Sequence, residues 1–231
     1  MNALLKLRHV AVLALLAITQ AHAAGLADIS NKDAAAGLKQ ALTKGAQAAV
    51  SALGKQDGFL GNARVRIPLP DGLRQAEGMM RTLGMGKYAD ELVTAMNRAA
   101  ETAVVEAKPL LVNAVKNMSV QDAKAILGGG QDAATQYFKR TTSGPLTDKF
   151  LPIVAKATRK VKLADKYNEF AGKGAKFGLI DAQDADLNRY VTRKALDGLY
   201  LMIAEEERKI RQDPVGAASG LVRKVFGAIG K

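Results

Sequence analysis

Apolar residues recur at steps of three and four along nearly every long segment of this alanine-rich chain, which is the spacing of one face of an α-helix. The first such segment ends at Gly54, and its apolar stripe is formed by Leu38, Leu42, Ala46, Val50 and Leu53. Comparable stripes continue toward the C-terminus. The spacing predicts an all-α protein, a single-domain bundle of about eight helices.

One segment departs from this spacing. In "RVRIPLP", Val65, Ile67 and Leu69 alternate with arginines and prolines. Alternation is typical of an extended chain, and the prolines exclude a central strand. We therefore expect a short extended strap near Val65–Leu69, either as an edge strand or as a polyproline-like segment over the helices.

The stretch "SVQDAKAILGGGQDAATQYFKR" predicts two short helices joined by glycines. Ser119 is expected to cap the first helix, with Asp122 at its third position, and Gly128 is expected to end it in a left-handed conformation. Free N–H groups at the start of the second helix would suit an anion, so Gly128, Gly129 and Gly130 form a candidate backbone anion site. A plain helix–helix corner is the favoured interpretation, because no strand precedes the glycines and no nucleotide-loop motif follows.

Prolines predict where helices are interrupted. Pro109 should kink a long helix or start a new one at Lys108. A further helix should be capped by Thr142–Pro145, separate from the short helix that follows the glycines.

The last large helix should begin at Asp184 or Asp186. Its segment "ALDGLYLMIA" carries only Asp197 as a charge, which predicts the central, most buried helix. We expect Asp197 to be desolvated, with Arg193 or Lys194 one turn earlier as its partner. Two further ion pairs are expected on an exposed turn, Glu205–Lys209 and Glu207–Arg211.

The N-terminus reads as a secretory signal peptide over residues 1–23. Lys6 and Arg8 precede an uncharged apolar run, and Ala21-His22-Ala23 provides a small-x-small cleavage site. The run is about half of the roughly 20 residues that span a bilayer. We therefore predict export to a bacterial periplasm, with cleavage after Ala23 and a mature domain of residues 24–231 that has no transmembrane segment.

Both histidines, His9 and His22, lie in the predicted signal peptide, and the chain has no Cys and no Trp. A Ser-His-Asp triad, a Cys-His pair and a zinc site with His or Cys ligands are then excluded from the mature chain. We identify no catalytic residue, no metal site and no cofactor motif. Carboxylates are the remaining general acid–base groups, and a pair assembled across helices stays possible.

The formal net charge of +12 favours anionic partners. Basic residues cluster between Lys149 and Lys176, and the cluster is interpreted either as a solvated helix face or as a patch for acidic envelope proteins or an anionic lipid surface. Export argues against nucleic acid, including DNA reading by the two short helices. The candidate binding residues are Lys156, Arg159, Lys160, Lys162, Lys166, Lys173 and Lys176.

Two segments are predicted to stand apart from the bundle. Gly172–Gln183 is rich in glycine and lysine, which indicates a mobile loop. Residues 214–231 form an amphipathic C-terminal helix, which is expected to dock either on the bundle or on a membrane.

Three stretches together resemble one known family: "NMSVQDAKAILGGGQDAATQYFKRTT", "IPLP" and "YVTRKALDGLYLMIAEEERKIRQDP". The family is the exported bacterial helical family catalogued as domain of unknown function 4197. The resemblance covers essentially the whole mature chain. It implies an all-helical envelope protein and carries over no catalytic residues. Some relatives look like lipoproteins, and this chain departs from them because it lacks the cysteine.

These observations give three hypotheses for function and leave the oligomeric state open. The first is a non-enzymatic envelope binding or structural module with a basic face. The alternative is a carrier of a hydrophobic or amphipathic small molecule inside the bundle. The third is a carboxylate-dependent hydrolase.

Overall fold

The structure, a computed structural model, describes residues 31–176 and 184–213. These residues form eight α-helices and no strand, which confirms the all-α prediction. The predicted signal peptide and residues 214–231 lie outside the described residues. The helices are α1 (Asn31–Leu53), α2 (Asp71–Thr82), α3 (Gly86–Val104), α4 (Ala107–Lys116), α5 (Val120–Leu127), α6 (Ala133–Thr158), α7 (Lys162–Lys176) and α8 (Leu187–Gln212).

Helix α8 lies at the centre, where it packs against α1, α3, α6 and α7. Asp186 begins it, because its carboxylate accepts the N–H groups of Asn188 and Arg189 at 2.8 and 3.1 Å. Val191 and Leu199 are fully buried, as the apolar composition predicts. Within the described part of the chain, every helix is too short or too polar to cross a lipid bilayer.

The predicted strap between α1 and α2 begins one residue later than expected, because Val65 lies in a turn, in which its N–H donates to the Asn62 carbonyl at 3.1 Å. Residues 66–70 lie outside any helix, and they have no strand partner among the described residues. Val65, Ile67 and Leu69 are buried, whereas Arg66 and Pro68 are exposed. A side chain replaces the missing strand: Asn97 of α3, which is fully buried. Its Oδ1 accepts from the Ile67 N–H at 2.8 Å, and its Nδ2 donates to the Ile67 carbonyl at 2.9 Å.

The start of this connection is held one turn further along α3. The carboxylate of Glu101 accepts the N–H groups of Phe59 and Leu60 at 3.0 and 3.1 Å. Arg98 binds both Glu101 and Asp57, at 2.6 and 2.8 Å. Two polar side chains on one face of α3, Asn97 and Glu101, therefore fix most of the connection from α1 to α2.

Helix α6 is continuous through Pro145 and Pro152, so the predicted helix start at Thr142–Pro145 is wrong. Phe138, Leu146 and Phe150 are fully buried at steps of four and eight, and they keep one face of α6 on the core across the first proline. A proline inside a helix costs about 3 kcal/mol, and this continuous burial offsets it.

The long helical segment is interrupted just before Pro109, as predicted. Helix α3 ends at Val104 and α4 begins at Ala107, so the proline occupies the first turn of α4. The missing N–H is harmless there, because the first turn has no intrahelical acceptor for it.

Residues 172–176, which the sequence assigns to a loop, belong to α7. Ala164, Tyr167 and Ala171 are buried at steps of three and four, and this packing extends the helix past the first glycine. The remainder of the predicted loop, residues 177–183, lies outside the described residues.

Candidate functional site

The glycine corner begins with the predicted cap. The Asp122 N–H donates to the Ser119 hydroxyl at 3.0 Å, and the Ser119 N–H donates to the Asp122 carboxylate at 3.2 Å, which completes a capping box. Gly128 ends α5 with φ −85°, so the expected left-handed conformation is wrong. Gly129 is required by close packing, because an added Cβ would lie 2.7 Å from the Ala125 carbonyl oxygen.

The backbone N–H groups in the first turn of α6 already bind a carboxylate, that of Glu207 on α8. The N–H groups of Ala134 and Thr135 donate to the two carboxylate oxygens of Glu207 at 3.0 and 2.9 Å, and the Thr135 hydroxyl donates at 2.9 Å. Glu207 is 5% exposed. A ligand held at the candidate anion site, Gly128–Gly130, would have to compete with this internal carboxylate. The arrangement therefore supports the interpretation as a helix–helix corner.

Arg211 completes the corner. Its Nε and Nη2 donate to Glu207 Oε1 at 3.1 and 2.9 Å, and Nη2 also donates to the Ile126 carbonyl at 3.0 Å. The expected Glu207–Arg211 pair therefore exists, but it is buried where α5, α6 and α8 meet, and the prediction of an exposed turn is wrong for it. The expected Glu205–Lys209 pair is replaced by two others, Arg64–Glu205 and Lys209–Glu206, both at 2.6 Å.

The basic candidates lie at the end of α6 and along α7. Six of them are exposed, and together they define the α6–α7 basic surface: Lys156, Arg159, Lys160, Lys162, Lys166 and Lys176. No acidic side chain of the described residues lies within ion-pair distance of these six. The side chain of Lys173, the seventh candidate, lies outside the described residues.

The fold adds a cation to this surface that sequence reasoning missed. An open groove of about 800 Å³ runs between the start of α3 and the turn before α7, and Lys87 lines it together with Lys160 and Lys162. Tyr88 lines the same groove, with the Lys87 Nζ 5.1 Å from its ring centroid. Only the packing of α3 beside α7 shows this, because Lys87 is distant in sequence from the basic cluster.

Two acidic residues also line this α3–α7 groove, Asp90 and Glu91. Asp90 is already paired, since Arg81 binds it at 2.7 Å and binds Glu77 at 2.6 Å. The hydrogen bond from Arg81 lowers the pKa of the Asp90 carboxyl. The groove therefore keeps a positive balance.

A second open groove, about 810 Å³, separates α6 from α8. Its apolar lining includes Leu151, Leu196 and Tyr200. The Tyr200 hydroxyl lies 2.9 Å from Thr142 Oγ1, and burial raises the pKa of this tyrosine. Thr192 also lines the groove, and its buried hydroxyl has no hydrogen-bond partner within the described residues.

Asp197 lines the α6–α8 groove together with Asp148. The side chain of Asp197 is exposed, so the prediction of a desolvated carboxylate is wrong. Its expected partner Arg193 is bound instead to Asp184, which precedes α8. Asp197 is exposed because one face of α8 points away from the neighbouring helices. Leu201, one turn further along, is exposed on the same face.

Comparison with known proteins gives one match. No curated protein and no solved structure matches the chain. The model of a family described as "Protein of unknown function (DUF4197)" matches residues 28–227, a range that contains all eight helices. The chain belongs to this family.

Proposed function

We propose that this protein is a non-enzymatic binding module of the bacterial envelope, which contacts an anionic surface through the α6–α7 basic surface. One observation carries the proposal: six exposed cations without an acidic partner among the described residues lie together at the end of α6 and along α7. By contrast, Arg64, Arg98 and Arg211 are held in ion pairs. Cations without internal partners remain available to an external anion. The signal-like N-terminus supports an envelope location for the mature chain.

Binding assays on the mature chain test the proposal. We expect binding to vesicles that contain phosphatidylglycerol, or to immobilised polyglutamate as an acidic polypeptide, and little binding to pure phosphatidylcholine. Binding should weaken as salt shortens the screening length from about 10 Å at 0.1 M to about 3 Å at 1 M. Absence of binding to both anionic probes, or binding that salt leaves unchanged, would overturn the proposal.

A matched pair of variants distinguishes binding by the α6–α7 basic surface from binding that depends only on the net charge of the protein. One variant carries Lys156→Gln, Lys160→Gln, Lys162→Gln and Lys166→Gln. The control removes four charges elsewhere, at exposed lysines of other elements: Lys55, Lys108, Lys116 and Lys124. We expect the first variant to lose most of the binding and the control to keep most of it. Equal losses would show that only total charge matters.

Fractionation of expressing cells tests the location. We expect the protein in the periplasmic fraction, with Ala24 as its first residue by N-terminal sequencing. An intact Met1 in the cytosolic fraction would contradict export.

The alternative is a carrier of an amphipathic small molecule, and the α6–α8 groove is the observation that favours it. The groove combines Leu151 and Leu196 with Arg189, and the hydroxyl of Thr192 lacks a partner within the described residues. Native mass spectrometry of protein purified from the envelope should show a bound lipid-like mass, and Leu196→Arg should remove it. For the hydrolase hypothesis, the supporting observation is that Asp148 and Asp197 line the same groove.

A further inference from the structure

Large exposed apolar side chains concentrate where α2 turns into α3. Met79, Leu83, Met85 and Tyr88 are 70%, 67%, 43% and 39% exposed. These four residues define the α2–α3 tip, and Gly84 with φ +69° makes the turn between the two helices. Single exposed apolar residues are ordinary on a soluble protein, whereas a group of them marks a contact surface.

The inner face of α2 is already used by the bundle. Leu73 and Met80 pack partly buried against the core, and α2 packs on α3. Met79 and Leu83 face away from that contact, which explains their exposure. Within residues 31–176 and 184–213, the α2–α3 tip is therefore an apolar surface that no helix covers.

The α2–α3 tip lies beside the cations described above. Tyr88 lines the α3–α7 groove together with Lys87, Lys160 and Lys162, so apolar and basic side chains meet at one groove. Arg81 pairs with both Glu77 and Asp90 at the base of the tip, and Glu91 is the other acidic side chain that lines the groove with the three lysines. Counted with Arg81, four cations then face three carboxylates. The positive balance suits a negatively charged occupant.

We infer that the α2–α3 tip and the α6–α7 basic surface form one membrane-contact face. This inference rests on the proposed function and names its partner as an anionic lipid bilayer. Met79, Leu83 and Met85 enter the outer part of the acyl region, while Lys87, Lys160 and Lys162 contact lipid phosphates. Apolar side chains beside lysines are the composition of proteins that lie in a membrane interface.

A bilayer accounts for this composition better than an acidic protein does. Carboxylates of an acidic protein would pair with the lysines but would leave Met79 and Leu83 in water. Lipid headgroups satisfy the lysines, and the acyl chains beneath them cover the apolar side chains without requiring a shaped pocket. In a single contact, the apolar side chains then leave water and the lysines gain phosphate partners.

Fluorescence gives a direct test, because the chain has no Trp. Leu83→Trp places one reporter in the tip, and Val120→Trp places the matched control on α5, where Val120 is 54% exposed. On addition of phosphatidylglycerol vesicles, we expect a blue shift and quenching by brominated acyl chains for Leu83→Trp only. Thermal unfolding of both variants should match the parent, since both positions are exposed.

A second variant, Met79→Gln, Leu83→Gln and Met85→Gln, measures the apolar contribution. We expect it to lose several-fold in vesicle affinity and to lose most of the binding that persists at high salt, while polyglutamate binding stays unchanged. Vesicle binding with an unshifted Leu83→Trp spectrum would overturn the insertion and leave the proposed function standing. Polyglutamate binding without vesicle binding would overturn the lipid partner alone, and absence of both would overturn both proposals.

Discussion

Asn97 serves Ile67 as a neighbouring strand would. Its side-chain amide accepts from the Ile67 N–H at 2.8 Å and donates to the Ile67 carbonyl at 2.9 Å. Buried backbone polar groups need partners, and here one side chain supplies both. This explains how an extended segment that contains prolines can lie against a helical core without a sheet.

Replacing Asn97 should therefore destabilise the fold strongly. Asn97→Leu leaves the N–H and carbonyl of Ile67 buried without partners, and each such group costs about 1–3 kcal/mol. We expect the free energy of unfolding in urea to fall by about 2–4 kcal/mol. Asn113→Leu, at an exposed position of α4, is the control and should change it by less than about 0.5 kcal/mol. A small effect at Asn97 would show that water replaces the amide.

Alanine substitutions of two neighbouring glutamates on α8 should lower the free energy of unfolding by very different amounts. Glu207→Ala leaves Arg211 and the first N–H groups of α6 without their carboxylate, and breaking a buried pair typically costs about 3–5 kcal/mol. Glu206→Ala removes only a solvent-exposed pair with Lys209, which is worth about 0.5 kcal/mol or less. Urea unfolding measures both changes. Similar losses for the two variants would mean that the corner is not held by Glu207.

Two glycine-to-alanine substitutions should change the stability of the fold in opposite directions. A Cβ at Gly198 of α8 would lie 2.8 Å from Cε1 of the fully buried Phe59. We expect Gly198→Ala to destabilise by about 1–3 kcal/mol, because overpacking forces a shift of the ring or of the helix. Gly144, inside α6, has open space around it, so Gly144→Ala should stabilise by about 0.5–1 kcal/mol. Thermal unfolding midpoints that move in the same direction would contradict this assignment.

Alkaline pH should weaken the fold through two tyrosines. Burial raises the pKa of Tyr167 and of Tyr190 to about 12, from the ordinary value of 10.0. The stability linked to this shift is fully present below pH 10 and is lost as pH rises toward 12, because the unfolded chain ionises first. A shift of this size corresponds to a loss on the order of 1–3 kcal/mol for each residue.

The double variant Tyr167→Phe, Tyr190→Phe tests this linkage. Its unfolding free energy should be lower than that of the parent at pH 9, because each hydroxyl donates to a backbone carbonyl. It should then decline less steeply between pH 10 and 12. Parallel curves for parent and variant would show that other groups cause the alkaline loss.

Local signals in the sequence predicted much of the fold. Helix α8, the capping box at Ser119 and the alternation of the strap were all visible, because each depends on residues close in sequence. The continuity of α6 was not visible. Pro145 is a local signal to stop, and the packing of Phe138 and Phe150 that overrides it depends on distant helices.

The candidate site was predictable only in part. The exposed lysines of α6 and α7 follow from composition, but the position of Lys87 beside Lys160 depends on how α3 lies against α7. The same limit explains the errors at Asp197 and Glu207. Sequence spacing gives the face of a helix that a residue occupies, whereas only the neighbouring helices determine whether that face is buried.

The position of Glu207 also gives a way to compare members of the family. This chain carries its own counter-ion at the start of α6, so the donors of that turn are engaged before any solute arrives. A relative with a neutral side chain at this position would leave those donors vacant next to a basic side chain equivalent to Arg211. Such a substitution would remove the carboxylate that keeps small anions from this corner.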